Sequence, residues 1–225
     1  FPFIFAAIIT LMLVEPKRFE KISESKRYID ALREGTKYFA THKILKIFAF
    51  DLVLVGSLAW FIIWLEQGIF MNFGIDIKYF GWLHALMVLS QIIVISQFKK
   101  MEIALKAKQN LIFFSALIAG AMYLLLGFVS FIPIVIFAIA LIAGFGMGRE
   151  TLYINYMHKY ISSDKRATVL SSVSMMHTFV LIIITPLVGM MVDWSMKYTL
   201  IILGILILFV ALISRFRIKE EMLID

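Results

Sequence analysis

Apolar residues come in long unbroken runs, and the polar positions between them sort by sign. Seven runs are apolar enough to lie in lipid, at 1–14 and at about 44–68, 77–98, 110–129, 133–157, 167–192 and 198–215. The first is shorter than the about 20 residues a full crossing needs. It reads as the tail of a helix cut at its outer end, so further sequence is expected upstream. A secretory signal peptide does not fit, because no basic region precedes the run and no small-residue cleavage pattern follows it.

Lys and Arg fall in alternate gaps. The only long loop, 15–43, carries Lys17, Arg18, Lys21, Lys26, Arg27, Arg33, Lys37 and Lys43. Two further basic loops hold Lys99, Lys100, Lys106 and Lys108, then Lys159, Lys165 and Arg166, and the tail holds Arg217 and Lys219. The intervening turns hold only Lys78 and Lys197. Positive charge collects on the cytoplasmic side of a membrane, so the first residue is placed outside and the last inside, as for a multi-pass protein of the cell membrane. The expected organisation is a truncated span at 1–14, a cytoplasmic loop at 15–43, a six-helix bundle at 44–216 and a cytoplasmic tail at 217–225. Within the loop, Tyr28, Leu32 and Phe39 recur near helical spacing beside Arg33 and Lys37, the pattern of an interfacial amphipathic helix; a partly disordered linker fits the same residues.

The fold class expected is an all-α membrane protein. Six complete helices divide at the tight outer turn 130–133 into triplets, 44–129 and 132–216, as the two inverted repeats of a transporter half would. The division rests on hydropathy, since the triplets share no evident residue identity.

Composition agrees with a lipid-solvated chain: 62% of residues are hydrophobic and 16% charged. The net charge of +7 sits in loops beside spans, where it sets topology and meets anionic headgroups, so no nucleic-acid partner is expected. Cysteine is absent, which excludes disulfides, zinc-thiolate sites and thiol catalysis. The chain has no nucleophile elbow, phosphate loop or metal-ligand pair at helical spacing, and the GFGMG run at 144–148 follows no strand and lacks dinucleotide-binding spacing. Neither an enzyme nor a bound cofactor or metal is expected.

Ionisable groups within spans are costly unless paired or solvated, and so lead the list of functional candidates. Asp51 in the second span, and Arg149 with Glu150 in the fifth, each lie about seven residues from the inner end, or about 10 Å at 1.5 Å per residue. An Asp51–Arg149 ion pair between the first helices of the two triplets follows from that shared depth; a fixed packing pair, or charges snorkelling to the headgroups, fits the same positions. His84 and His177 are the other titratable groups at depth. His177, near the bilayer centre, could exchange protons or simply hydrogen-bond a hydroxyl of Ser171, Ser174 or Thr178. Trp60, Gln67, Gln91 and Tyr153 are candidate solute contacts, while Glu66 and Gln67 close the outer end of the second span below Trp60 and Trp64, aromatics that suit an interfacial belt equally well. Small residues at Ala116, Gly120, Gly127 and 144–148 suit close helix approach or bending, and Pro186 should kink the sixth span.

The run GRETLYINYMHKYISSDKRATVLSSVSMMHTF followed by PLVGMMVDWS resembles the tenth-to-eleventh-helix region of the major facilitator superfamily, with Lys165, Arg166, Ser171, Pro186, Gly189 and Asp193 at matching positions. YFGWLHAL at 79–86 is similar to the start of that family's eighth helix and KKMEIALKAKQN to the basic loop after it, although that loop lacks the Gly and Asp of the family signature. The resemblance covers most of the chain through loose motifs. It implies the end of helix six through helix twelve of a secondary transporter, with 15–43 as the loop joining two halves and the N-terminal half as a missing partner of the same protein. It also implies alternating access, a small-molecule substrate, export coupled to protons through Asp51, Glu150 or His177, and Arg149 to balance a carboxylate or meet an anion. The second and fifth spans would line the cavity, the third and sixth the interface between halves, and the fourth and seventh would face lipid. Two other classes compete: a seven-helix receptor, which would share the orientation but would not carry its long loop after the first helix, and a non-transporting membrane subunit.

Overall fold

The computed structural model describes residues 37–163 and 165–222, the last six by their backbone alone. The first apolar run, 1–14, and most of the long loop, including Tyr28 and Leu32, lie outside these residues.

Every described element is helical, as expected where no water is present to satisfy exposed backbone groups. The helices are α1 (Lys43–Trp60), α2 (Ile62–Asn72), α3 (Phe80–Ala104), α4 (Lys108–Phe128), α5 (Ile132–Leu141), α6 (Arg149–Met157), α7 (Arg166–Trp194) and α8 (Met196–Met222), with a π-helical segment (Ile142–Met147) between α5 and α6. They form six rods long and apolar enough to cross a membrane: α1–α2, α3, α4, α5–π–α6, α7 and α8. The six complete apolar runs of the sequence are these rods, and the chain is a multi-pass membrane protein.

Two rods are interrupted. The first breaks at Phe61, whose backbone N–H donates to the Ala59 carbonyl. Tyr123 of α4 sends its hydroxyl to the carbonyls of Leu58 and Ala59, 3.2 Å from each, supplying a donor where the helix is irregular. The fourth rod widens to i→i+5 bonding, seen in Gly148 N–H to the Ala143 carbonyl at 3.2 Å, and Ser90 of α3 donates to the Ala140 carbonyl just before the wide turn, at 2.8 Å.

Glycine brings the rods together. A Cβ on Gly120 would fall 2.8 Å from Leu208 and 3.1 Å from the Gly204 carbonyl, while one on Gly204 would fall 2.8 Å from the Gly120 carbonyl, so α4 and α8 touch backbone to backbone. Within the π segment, a Cβ on Gly144 would meet Val94 of α3 at 2.6 Å, and one on Gly146 would meet Ala59 of α1 at 2.8 Å. The glycine-rich run therefore serves close approach, as small residues do where lipid gives helices no hydrophobic drive to associate. Pro186 sits inside α7, which continues through it as one helix.

Each rod keeps a definite set of neighbours. The helices α4 and α8 form the most extensive contact; α8 also packs on α1, α4 on α5 and the π segment, α3 on α5 and the π segment, α7 on α1, and α1 on the π segment and α6. The core divides into two clusters stacked along the bundle. One gathers Val55, Phe61, Phe70, Tyr123 and Val135, and the other Leu45, Phe48, Leu111, Tyr153 and Met157.

The rods differ sharply in enclosure. Only 11% of the α3 window and 6% of the α7 window is buried, against 56% for α4 and 44% for the α8 rod. The fourth and seventh apolar runs, α4 and α8, were expected to turn to lipid; each has exposed apolar residues such as Phe114 and Phe209, but the other face is sealed in the glycine seam. Their freedom from charge reflects that seam as much as lipid.

The basic loops meet near the start of α1. Tyr38 donates to the Tyr160 carbonyl at 2.7 Å and stacks on His42, while the Lys165 ammonium lies 5.3 Å from the Tyr38 ring. Phe39, from the amphipathic pattern, packs against the adjoining core cluster.

Candidate functional site

Among the described residues, three polar places hold all the candidate residues except Gln91.

The first is a sealed ion cluster. Asp51 on α1 pairs with Arg149 at the start of α6, and both are fully buried. The Tyr153 hydroxyl donates to the same Asp51 oxygen, and Arg149 reaches the Tyr153 hydroxyl at 3.3 Å and the Ile112 carbonyl of α4 at 3.2 Å. Burial excludes snorkelling and brings together the pair expected from depth. Tyr153, a candidate solute contact, belongs to this cluster. The arrangement ties α1, α4 and α6 with charge-assisted hydrogen bonds. It leaves Asp51 Oδ1 and Arg149 Nε enclosed without a partner.

The second is a groove, open on one side, between α1, the π segment with α6, and α7. Trp60, Glu150, Ser174 and His177 supply its polar features, and Leu52, Met147, Ile154 and Val173 are among its apolar walls. Helical geometry separates Glu150 from its neighbour: Arg149 turns inward to Asp51, while the exposed Glu150 faces the groove. His177 packs edge-on against Trp60, with ring centroids 6.3 Å apart and planes at 84°. Its Nε2 is enclosed with no hydrogen-bond partner, and the Thr178 hydroxyl donates to the Ser174 carbonyl at 3.1 Å. The hydroxyl bond expected for His177 is thus absent at Nε2.

The third is a recess near the turn between α2 and α3, lined by Glu66, Gln67, Phe70, Phe80 and His84. Glu66 Oε1 lies 2.6 Å from His84 Nδ1, a bond linking α2 to α3; the Glu66 side chain is 3% exposed and that of His84 48%. The second Glu66 oxygen is enclosed and unpartnered. Glu66 is expected to close its span, but α2 continues to Asn72, which places the carboxyl inside a span. His84, expected at depth, is half-exposed at this recess, and Gln67 joins it there. Gln91, half-buried on α3, is in none of the three places.

At the opposite end of α3, Tyr156 donates to Glu102 at 2.7 Å, with the Lys108 ammonium 5.4 Å from the tyrosine ring. Among the described residues no three His, Asp or Glu side chains converge as a metal ion requires. No protein-family model, curated protein or solved structure matches the chain.

Proposed function

We propose that the chain is one half of a secondary active transporter of the major facilitator type, moving a small solute by alternating access through the groove. The observation that carries this reading is a correspondence between the two triplets. Let α1–α2, α3 and α4 exchange with α5–π–α6, α7 and α8. The contact of α3 with the fourth rod becomes that of α7 with the first; the contact of α4 with the fourth rod becomes that of α8 with the first; the α4–α8 seam maps onto itself.

Two further features support it. The interrupted rods are the first member of each triplet, the break at Phe61 matching the π segment at Ile142–Met147, and both flank the groove through Trp60 and Met147. Discontinuous helices at corresponding positions of two repeats mark the binding site in such carriers. The two least enclosed rods, α3 and α7, are the second member of each triplet, where the resemblance puts the interface with another half. The groove would then be one wall of the solute path, in a cell-membrane protein whose C-terminus is cytoplasmic.

Within this mechanism the sealed Asp51–Arg149–Tyr153 cluster acts as a fixed joint, because Arg149 already compensates the Asp51 charge. Glu150 and His177, both on the groove, are the groups available to carry a proton through it. In proteoliposomes of the full-length protein, an imposed pH gradient drives uptake of the transported solute, and Glu150→Gln lowers that flux roughly tenfold or more by removing the titrating charge. Asp51→Asn, normalised to folded protein, keeps its response to the gradient. Unchanged flux in Glu150→Gln removes Glu150 from the coupling role.

A further inference from the structure

Resting on the carrier reading, the groove geometry points to a substrate class: we infer that the groove binds a lipophilic monocation, a positively charged centre carried on an apolar or aromatic body.

Of the described charged residues near the groove, only one presents its charge there. Arg149 and Glu150 are consecutive, and a helix turns its side chains by about 100° per residue, so they leave on different faces. Arg149 is fully buried, with its guanidinium on Asp51, Tyr153 and the Ile112 carbonyl. Its charge is balanced within that cluster and does not face the groove. Glu150 is exposed on the groove, and among the described residues no Lys or Arg lines it. On the wall that this half supplies, one carboxylate therefore sets the sign of the field, among largely hydrocarbon surroundings where a charge is weakly screened. His177 is the other titratable group on the groove lining, and adds positive charge only when protonated.

The walls select the rest of the ligand. Leu52, Met147, Ile154 and Val173 offer apolar surface, and methionine adapts to differing shapes. Trp60 adds an aromatic surface of the kind cations favour. A strongly hydrated small cation would find few oxygens to replace its water; a diffuse charge with an apolar skin loses little hydration on entering. An anion would meet Glu150 with no cation to offset it.

The test is equilibrium binding of tetraphenylphosphonium to the purified full-length protein in detergent, with tetraphenylborate, its same-shaped anion, and a neutral tetraphenyl analogue as competitors. The expected result is a cation bound at least tenfold more tightly than the neutral analogue, about 1.4 kcal/mol, with the anion the weakest competitor. Glu150→Gln removes the preference for the cation while the neutral analogue binds as before. Equal binding of all three, tighter binding of the anion, or a cation preference that survives Glu150→Gln overturns the assignment. Binding as expected without flux in proteoliposomes sinks the carrier reading and leaves the groove's selectivity standing. Flux of other solutes without cation binding does the reverse.

Discussion

Replacing Asp51 with alanine is expected to destabilise the folded chain by about 3–5 kcal/mol, the largest effect of any single truncation of a buried charge described above. The side chain removed is small, but the group left behind is Arg149, fully enclosed between α1, α4 and α6 with no water to solvate it. A guanidinium does not neutralise itself by losing a proton, so the buried charge persists. The sign of the second step is more telling than the size of the first. Asp51→Ala combined with Arg149→Met should recover most of the loss, because an apolar side chain of similar length fills the space and both charges are gone. Thermal unfolding in detergent, followed by the fraction remaining monodisperse, reads both steps. A single variant as stable as the parent would mean that the pair is solvated in the membrane, contrary to its complete burial.

Substituting Gly204 by valine is expected to cost about 1–3 kcal/mol or more through overpacking, and to open the α4–α8 seam. The neighbours a Cβ would meet here include backbone: the Gly120 carbonyl at 2.8 Å and the Leu124 nitrogen at 2.9 Å. A flexible side chain could swing aside, whereas two helix backbones can only separate. Separation loosens α8, which also packs on α1 beside the groove. Valine at Gly81 or Gly189, where a Cβ meets nothing within 4 Å, is the matched control and should change stability little. Equal effects at Gly204 and Gly189 would show that helix propensity, and not close approach, governs these positions.

Much of this architecture is legible in the chain, for specific reasons. The six complete spans follow from hydropathy because lipid leaves the backbone no alternative to a helix. The Asp51–Arg149 pair follows from depth, since opposite charges at one level on neighbouring helices satisfy each other more readily than lipid does. The apolar run, taken by hydropathy over about 44–68, puts Glu66 at its span's boundary. In a membrane the apolar Ile69, Phe70 and Met71 carry the helix on to Asn72, and the carboxyl is drawn inside. A signal was present: Glu66 and His84 stand at comparable distances on either side of one short turn, a spacing that allows a bond across it. The break at Phe61 and the π segment leave no comparable trace in hydropathy. They depend on donors from other rods, Tyr123 and Ser90, and on glycines whose use is visible only once α1, α3 and α4 are packed around them. Which face of the fifth span Glu150 takes is likewise fixed by its neighbour, because Arg149 claims the interior.

The central claim is that the groove is reached by water from one side of the membrane and then from the other. Residues 1–225 contain no cysteine, so in the full-length protein, with any cysteine elsewhere replaced, Ser174→Cys supplies one thiol on the groove wall. Labelling of that thiol by a membrane-impermeant maleimide, applied separately to either face of oriented vesicles, measures access directly. Alternating access predicts reaction from both faces, with the ratio of the two rates shifting when the pH gradient is reversed; reaction confined to one face under every gradient, with no shift, would contradict it.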